Sequence, residues 1–187
     1  IRDSFEGCPP PCSHVKNHEL KTISENSQYA TYHDFKFSQD VEIIGYLQSF
    51  RYFDRYVRSV IKFKKNIRDF AMQVLKDFTS HTLVGIHMRR YEQYYLRIPP
   101  PQYFINAKKY FIRRFPLVHF IVTCDDIHWC KEQEYLLQSN VHIFDNKRAP
   151  VFDMGILAAC DHIILSTGTF GWWAAFLGAD AKGGTVI

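Results

Sequence analysis

Several familiar signatures are missing from this chain, and each absence narrows the reading. No apolar run approaches the roughly 20 residues of a membrane-spanning helix, and no stretch resembles a signal peptide. The chain begins on Ile1 and stops on Ile187 within the apolar run Thr185-Val186-Ile187, so both ends read as cuts. The missing targeting segment therefore carries no weight for a longer protein. There is no CxxC pair and no Cys/His cluster with zinc spacing; His14 and His18 lie four apart without an HExxH frame. Neither GxGxxG nor a Walker loop occurs, which removes the two common glycine-rich phosphate cradles. No Asn-x-Ser/Thr sequon occurs, which disfavours a heavily glycosylated lumenal domain without excluding one. Internal repeats and low-complexity tracts are also lacking. The cysteine count is odd (Cys8, Cys12, Cys124, Cys130 and Cys160) and leaves the redox compartment open. Cys8 and Cys12 flank three prolines, a setting for either a disulfide or an exposed loop. The net charge of +4 is too small and too scattered to argue for nucleic acid, but it fits an anionic small molecule.

What is present describes a globular chain. Its 187 residues suit one large domain, or one domain with part of another. The 47% hydrophobic and 22% charged content allows a real core, and the 16% aromatic content serves that core or a sugar or base platform. Residues 1 to about 38 are polar and irregular, with one strand expected near Tyr29–Tyr32. A strand is predicted at Val41–Tyr46, followed by an aromatic turn or short helix. Ile67, Phe70, Ala71, Val74, Leu75 and Phe78 recur at helical spacing. Strands at Leu83–Ile86, Leu117–Val122, Val141–Phe144 and Ile163–Leu165 then alternate with helices. The helices are expected after Pro99–Pro101 (stripe Tyr103, Phe104, Ala107, Phe111, Ile112), at Ile127–Leu137, Val151–Cys160 and Phe170–Leu177. Gly184–Ile187 begins a further strand. This alternation predicts an α/β fold: a Rossmann-like parallel sheet with helices on both faces.

In such sheets ligands sit at the carboxyl ends of the strands, and three strand ends carry chemistry. After Ile86 come His87, Arg89 and Arg90. Guanidinium groups are not left unpaired in a core, so the strand must deliver them to its tip, where they suit a phosphate or surface ion pairs. After Val122 come Asp125 and Asp126, just before a helix. They serve as an N-cap, or one caps while the other binds a ligand hydroxyl or base edge. After Leu165 come Ser166, Thr167, Gly168, Thr169 and Phe170, a small, hydroxyl-rich helix start that lets backbone amides approach an anion. Trp172 and Trp173 next to them anchor that helix. Asp153 stands in an apolar helix and needs a partner, either a free backbone amide near the helix start or a ligand nitrogen. One sheet edge thus offers arginines, a hydroxyl-glycine helix start and carboxylates, a description of a nucleotide-diphosphate site. Arg89 and Arg90 would hold the pyrophosphate and Asp153 a purine edge.

These segments resemble a known family. His87-Met88-Arg89-Arg90 after a strand, VTCDDIHWC (Val122–Cys130) and DMGILAACDHIILSTGTFGWWAA (Asp153–Ala175) are similar to the three shared motifs of galactoside α-1,2-fucosyltransferases. IIGYLQSFRYF (Ile43–Phe53) is similar to the family's upstream segment. The resemblance covers about Ile43–Ile187, and the third motif is its most specific part. It implies the donor-binding half of a GT-B fold plus part of the N-terminal half. Residues 1–66 would be a remnant of the acceptor-side region, and 67–187 the GDP-fucose-binding domain, cut at its C-terminus. It further implies GDP-L-fucose as donor, a galactoside-terminated glycan as acceptor, inversion at the fucose carbon and no obligatory metal. It places the protein in the Golgi membrane, its lumenal domain anchored by a segment outside this chain. His87, Arg89, Arg90, Asp125, Asp126, Asp153 and Ser166, Thr167, Gly168, Thr169 and Phe170 fall on the donor-site motifs. Arg89 would stabilise the leaving diphosphate and Glu92 would take the acceptor proton. Two departures stand out. Tyr91 and Glu92 occupy the places where the family has Gly-Asp, and the family's glycine-rich, Asn-containing opening segment is absent. A non-catalytic GDP- or sugar-binding relative is therefore one alternative. An α-1,6- or protein O-fucosyltransferase with another acceptor is a second.

Overall fold

The computed structural model describes residues 4–6, 20–25, 31–47, 49–52, 55–90, 98–145 and 147–187. The backbone forms two compact units, Glu6–Lys62 and the larger Phe63–Ile187 with Ile1–Phe5. The chain passes through β1 (Phe5–Glu6) into the smaller unit. There β2 (Lys21–Ser24) pairs in parallel with β3 (Val41–Ile44), Lys21 opposite Val41 and Ser24 opposite Ile44. A 3-10 turn at Phe50–Tyr52 and the short helix α1 (Arg55–Val60) follow, and β4 (Lys62–Phe63) leads out. The expected strand near Tyr29–Tyr32 is not found at Thr31 or Tyr32; residues 29 and 30 lie outside the described set. Tyr32 instead packs its ring 5.0 Å from that of Tyr52, and the Arg51 guanidinium sits 4.1 Å over it. The strand lies earlier, in Lys-Thr-Ile-Ser, where a single apolar residue gives no alternation to read.

The larger unit is built from α2 (Lys65–Leu75, continued by a 3-10 turn to Phe78), β5 (Thr82–Met88), α3 (Pro101–Arg114), β6 (Val118–Cys124) and α4 (Ile127–Lys131). After them come β7 (Val141–Ile143), α5 (Val151–Ala159), β8 (His162–Ile164) and α6 (Thr169–Leu177). Four strands form one sheet in the order β7-β6-β5-β8, every pair parallel. The C-terminal residues extend it: Val186 bridges Ile163 in parallel, and Leu165 N–H donates to Ile187 O at 2.8 Å. The strand expected at Gly184–Ile187 thus lies beside β8.

β5 and β6 are apolar along almost their whole length because both faces are covered, the normal state of a parallel strand. Val84, Ile86 and Met88 point with Phe120, Val122 and Ile164 toward Phe104, Ala107 and Phe111 of α3. Leu83 and Ile121 point the other way, toward Ala71 and Leu75 of α2 and Ile156 of α5. Burial of Phe104, Phe111 and Phe120 is complete and stabilises the fold by on the order of 2–3 kcal/mol each. Gly85 faces α5; a Cβ there would stand 2.9 Å from Leu157 Cδ2. The absent side chain is what lets that helix lie close over the strand.

Two helices differ from expectation. The helix expected over Ile127–Leu137 stops at Lys131 and resumes as a 3-10 turn at Glu134–Leu136. Its last turn tightens, with Glu132 N–H donating to Trp129 O at 3.1 Å, which swings Leu136 into the core. On α3 the apolar stripe does not include Ile112, which is 48% exposed, whereas Lys108 is only 3% exposed. Positions 104, 108 and 111 share a face at i, i+4, i+7, and 112 falls at its rim, about 80° round from 104 and 100° from 111. The Lys108 stem crosses the Phe120 ring, and its Nζ donates to the Tyr135 carbonyl and to Gln138 Oε1 (2.8 Å). Burial pushes its ammonium down to about 8. The lysine thereby tethers α3 to the segment after α4. Lys108→Ala is expected to lower stability by about 2–4 kcal/mol, because it opens a cavity and orphans a buried carbonyl. Lys109→Ala, on the exposed face, should stay within about 0.5 kcal/mol of wild type. Urea denaturation of the two variants measures the contrast.

Candidate functional site

Every strand of the larger sheet runs the same way, so the strand ends expected to carry chemistry gather at one edge. A cavity of about 430 Å³ opens there. Its wall holds His87 and Arg89 from β5, Thr123, Cys124 and Asp125 from β6, Arg148, Pro150 and Asp153 around the start of α5, and Phe170 from α6.

His87 is the buried pivot, 6% exposed. Its Nδ1 lies 3.1 Å from Ser166 Oγ, and its ring centroid is 5.4 Å from that of Phe170. Burial pushes the imidazole down to about 4; nearby Asp125 opposes this shift and Arg89 adds to it. The ring is therefore neutral at pH 7. Gly171 makes room for it, since a Cβ at that position would stand 2.5 Å from His87 Nδ1. Ser166 Oγ also accepts the Arg89 backbone N–H at 3.1 Å, which ties the tip of β5 to the end of β8.

The two arginines part company. The Arg89 side chain crosses Gly168, with Cδ 3.4 Å and Nη1 3.7 Å from where a Cβ would sit. Gly168 has φ +104° and caps the N-terminus of α6, a conformation that disfavours any residue with a Cβ. Arg89 thus lies in the cavity wall beside a helix N-terminus. Arg90 turns away: Nη1 meets Asp126 Oδ2 at 2.5 Å, and the guanidinium lies 5.5 Å from the Trp129 ring centroid. Its backbone N–H donates to Asp125 Oδ1 at 2.8 Å. Asp126 caps α4 by accepting Trp129 N–H at 3.0 Å. That amide first, and Arg90 after it, hold the Asp126 carboxyl below the usual carboxylate range. Of the aspartate pair, Asp126 is the cap, while Asp125 grips the backbone and faces the cavity.

The cavity thus collects His87, Arg89, Asp125, Asp153 and Phe170 from the residues singled out in the sequence. Arg90 and Asp126 pair with each other instead of lining it. Ser166 acts through His87 and Arg89, and Thr167, Gly168 and Thr169 form the turn into α6 without joining the wall. Asp153 occupies the third position of α5; Pro150 is the N-cap residue and makes no side-chain cap bond. Glu92 and Tyr91 lie outside the described residues.

Three features escaped the sequence reading. Arg148 follows β7, the strand end that had been passed over, and lays its guanidinium 4.6 Å from the Phe70 ring centroid and 5.4 Å from that of Phe152. Thr123 is the lone hydroxyl inside an apolar strand. Cys124 and Cys130 form a disulfide that pins the end of β6 to α4 around the aspartate pair; Cys8 and Cys12 lie outside the described residues. Among the described residues, no group of three or more His, Cys, Asp or Glu is arranged to hold a metal ion, and no helix is long and apolar enough to cross a membrane.

Residues 13–187 match the sequence profile of glycosyl transferase family 11. The chain belongs to this family. Its family 11 relatives include the galactoside alpha-(1,2)-fucosyltransferase 1 of Sus scrofa, 30% identical over 146 residues, and that of Ateles belzebuth, 31% identical over 156 residues. These alignments take in 68% and 73% of this chain but only 40% and 41% of the relatives, so the chain spans about two fifths of their length. Among solved structures, POFUT1 in complex with GDP superimposes with a TM-score of 0.58 at 12% identity, over 78% of this chain and 53% of that one. The fucosyltransferase NodZ from Bradyrhizobium gives 0.50 at 17% identity, over 76% and 54%. At such identities the likeness shows the fold: the sheet and its flanking helices are the Rossmann-like half of a GT-B architecture.

Burial of neutral His87 links this family 11 site to pH. Its folded pKa lies below the ordinary 6.5, so acid favours the unfolded chain, in which the ring protonates first. The stabilisation is intact above about pH 6.5 and is lost progressively as pH falls toward 4, on the order of 3 kcal/mol in all. His87→Gln should flatten this part of the acid limb when denaturant stability is compared at pH 7 and pH 4.5. An undiminished slope in the variant would show that His87 does not supply it.

Proposed function

We propose that this chain is the donor-binding part of a galactoside α-1,2-fucosyltransferase. The whole enzyme would transfer L-fucose from GDP-L-fucose to the 2-hydroxyl of a terminal β-galactoside, with inversion. The observation that carries this reading is the placement of Arg89 over Gly168, at the N-terminus of α6 and in the wall of a cavity that also holds Asp153. A guanidinium beside a helix N-terminus offers paired donors and a favourable dipole to a diphosphate. Negative charge grows on that diphosphate as the bond to fucose breaks, so this stabilisation increases toward the transition state. Asp153 would accept hydrogen bonds from the N–H edge of guanine. Glu92 would take the proton of the acceptor hydroxyl. On this reading residues 67–187 bind the donor, and residues 1–66 belong to the acceptor-side region. The protein would work in the Golgi lumen, anchored by a segment beyond this chain, and the diphosphate charge would be met by protein cations without an obligatory metal.

Replacement of the family's Gly-Asp by Tyr91-Glu92 supports a second reading, a relative that binds GDP without turnover. A full-length enzyme assayed with GDP-fucose and a β-galactoside separates the two. Transfer by wild type, with kcat reduced about 10²–10³-fold in Arg89→Ala, is expected. GDP binding by calorimetry without transfer would favour the second reading, and full transfer by Arg89→Ala would remove Arg89 from the mechanism.

A further inference from the structure

Two guanidinium groups line the cavity, Arg89 and Arg148, and only the first has a part in the function proposed above. Arg148 is an exposed residue of that wall, and aromatic rings locate its guanidinium. The group lies 4.6 Å from the Phe70 ring centroid and 5.4 Å from that of Phe152. Phe70 in turn lies 5.1 Å from Phe152 and 6.1 Å from Phe144, the residue directly after β7. Arg148 therefore belongs to the β7 flank of the cavity. Arg89 belongs to the other flank, just past β5 and across Gly168, which follows β8. In the order β7-β6-β5-β8, the β7 flank stands about 10 Å from β5 and about 14 Å from β8 at the usual strand spacing. That span is comparable to the length of an extended nucleoside diphosphate, so one nucleotide can touch both arginines.

Charge decides which end of the nucleotide faces which arginine. At the Arg89 flank the first turn of α6 carries no acidic residue, and the helix N-terminus adds its positive end. At the Arg148 flank the first turn of α5 carries Asp153, whose negative charge offsets one cation there whatever it pairs with. Asp125 comes from β6, between the two flanks, and favours neither. The diphosphate is therefore drawn to Arg89, and Arg148 meets the uncharged end of the ligand. Arg148 and Asp153 also interact within the protein, but a guanidinium has several N–H donors and a carboxylate several lone pairs, more than one contact fills. A donor and an acceptor on one flank suit a particular base edge. Guanine presents its O6 acceptor beside N1–H and N2–H donors, whereas adenine presents an N6 donor beside an N1 acceptor. We infer that Arg148 donates to the 6-oxo oxygen of a guanine base whose N–H groups face Asp153, and so favours guanine over adenine nucleotides. This assignment rests on the nucleotide-site reading above.

Calorimetric titration of the full-length protein with GDP, inosine diphosphate, ADP and inorganic pyrophosphate tests it. Arg148→Met keeps an unbranched apolar stem beside the two rings and removes the donors. GDP and ADP carry the same diphosphate, so the ratio of their affinities cancels the general field effect of a lost cation. The variant should bind GDP about five- to twentyfold more weakly than wild type. Inosine diphosphate, which keeps the 6-oxo group, should lose the same factor. ADP and pyrophosphate should stay within about threefold of wild type, since an exposed charge is screened. GDP affinity unchanged in Arg148→Met overturns the inference. So does an equal loss for GDP and pyrophosphate, which would put the guanidinium on the diphosphate. An equal loss for GDP and ADP with pyrophosphate unaffected also overturns it, by making Arg148 a surface for any base. Losses for every ligand together with a lower ligand-free Tm would make the residue a structural element instead. A wild type that binds no GDP would sink the reading of the site itself.

Discussion

The arrangement of the site depends on the Ser166 hydroxyl, held between the Arg89 amide and the His87 ring at 3.1 Å each. β8 is short, and its ladder with β5 ends at the Ile86–Ile164 pair. Beyond that point, among the described residues, no β5–β8 ladder pair fixes how the α6 turn sits against the β5 tip. The serine supplies the missing link from a side chain. With Oγ accepting from the Arg89 amide, its own proton is free for Nδ1 of the neutral imidazole, which would leave the ring proton on Nε2. The Arg89 side chain is then launched across Gly168, and Phe170 closes on the imidazole. The buried histidine therefore stays uncharged: a charged ring would carry a desolvation cost that nearby Asp125 offsets only in part.

A single dipeptide illustrates how one strand end serves two purposes. Arg89 and Arg90 are consecutive, so an extended backbone sends their side chains to opposite sides. The side shared with His87 was not available to both. Arg90 finds Asp126, which is itself oriented by capping α4, and the Trp129 face completes its surroundings. Asp125 grips the Arg90 amide, and the Cys124–Cys130 disulfide brackets the same turn. Arg90 thus braces the loop on which Asp125 reaches the cavity. At about one third exposure each, the Arg90–Asp126 pair is screened by solvent and fixes geometry more than it adds stability.

The fold was largely legible because its dominant signals are periodic. The apolar runs of β5 and β6, the stripe of α2 and the prolines ahead of α3 each repeat one local message often enough to outweigh noise. The failures occur where a tertiary partner overrides the local signal. Lys108 is core because Tyr135 and Gln138 reach its ammonium, and no window around residue 108 contains them. Ile112 carries the right side chain at the rim of the buried face of its helix, where it stays half exposed. β2 forms because β3 offers a ladder, although Lys-Thr-Ile-Ser has no alternation of its own. For the site, the sequence located the strand ends but could not divide labour within them. Which arginine faces inward, and which aspartate caps, is set by side-chain direction and by partners more than thirty positions away.

Arg148 and Thr123 extend this point, since each is invisible for a different reason. Arg148 sits in a polar loop, where an arginine is the default expectation for a solvated residue. The aromatic faces of Phe70 and Phe152, brought from α2 and α5, lie beside it at the cavity. Thr123 is invisible because threonine is an ordinary strand former. Its Oγ1 is buried without a hydrogen-bond partner among the described residues. An unsatisfied buried hydroxyl costs roughly 1–3 kcal/mol, and that cost is set by the packed neighbours of β6, which neither the residue type nor the strand pattern contains.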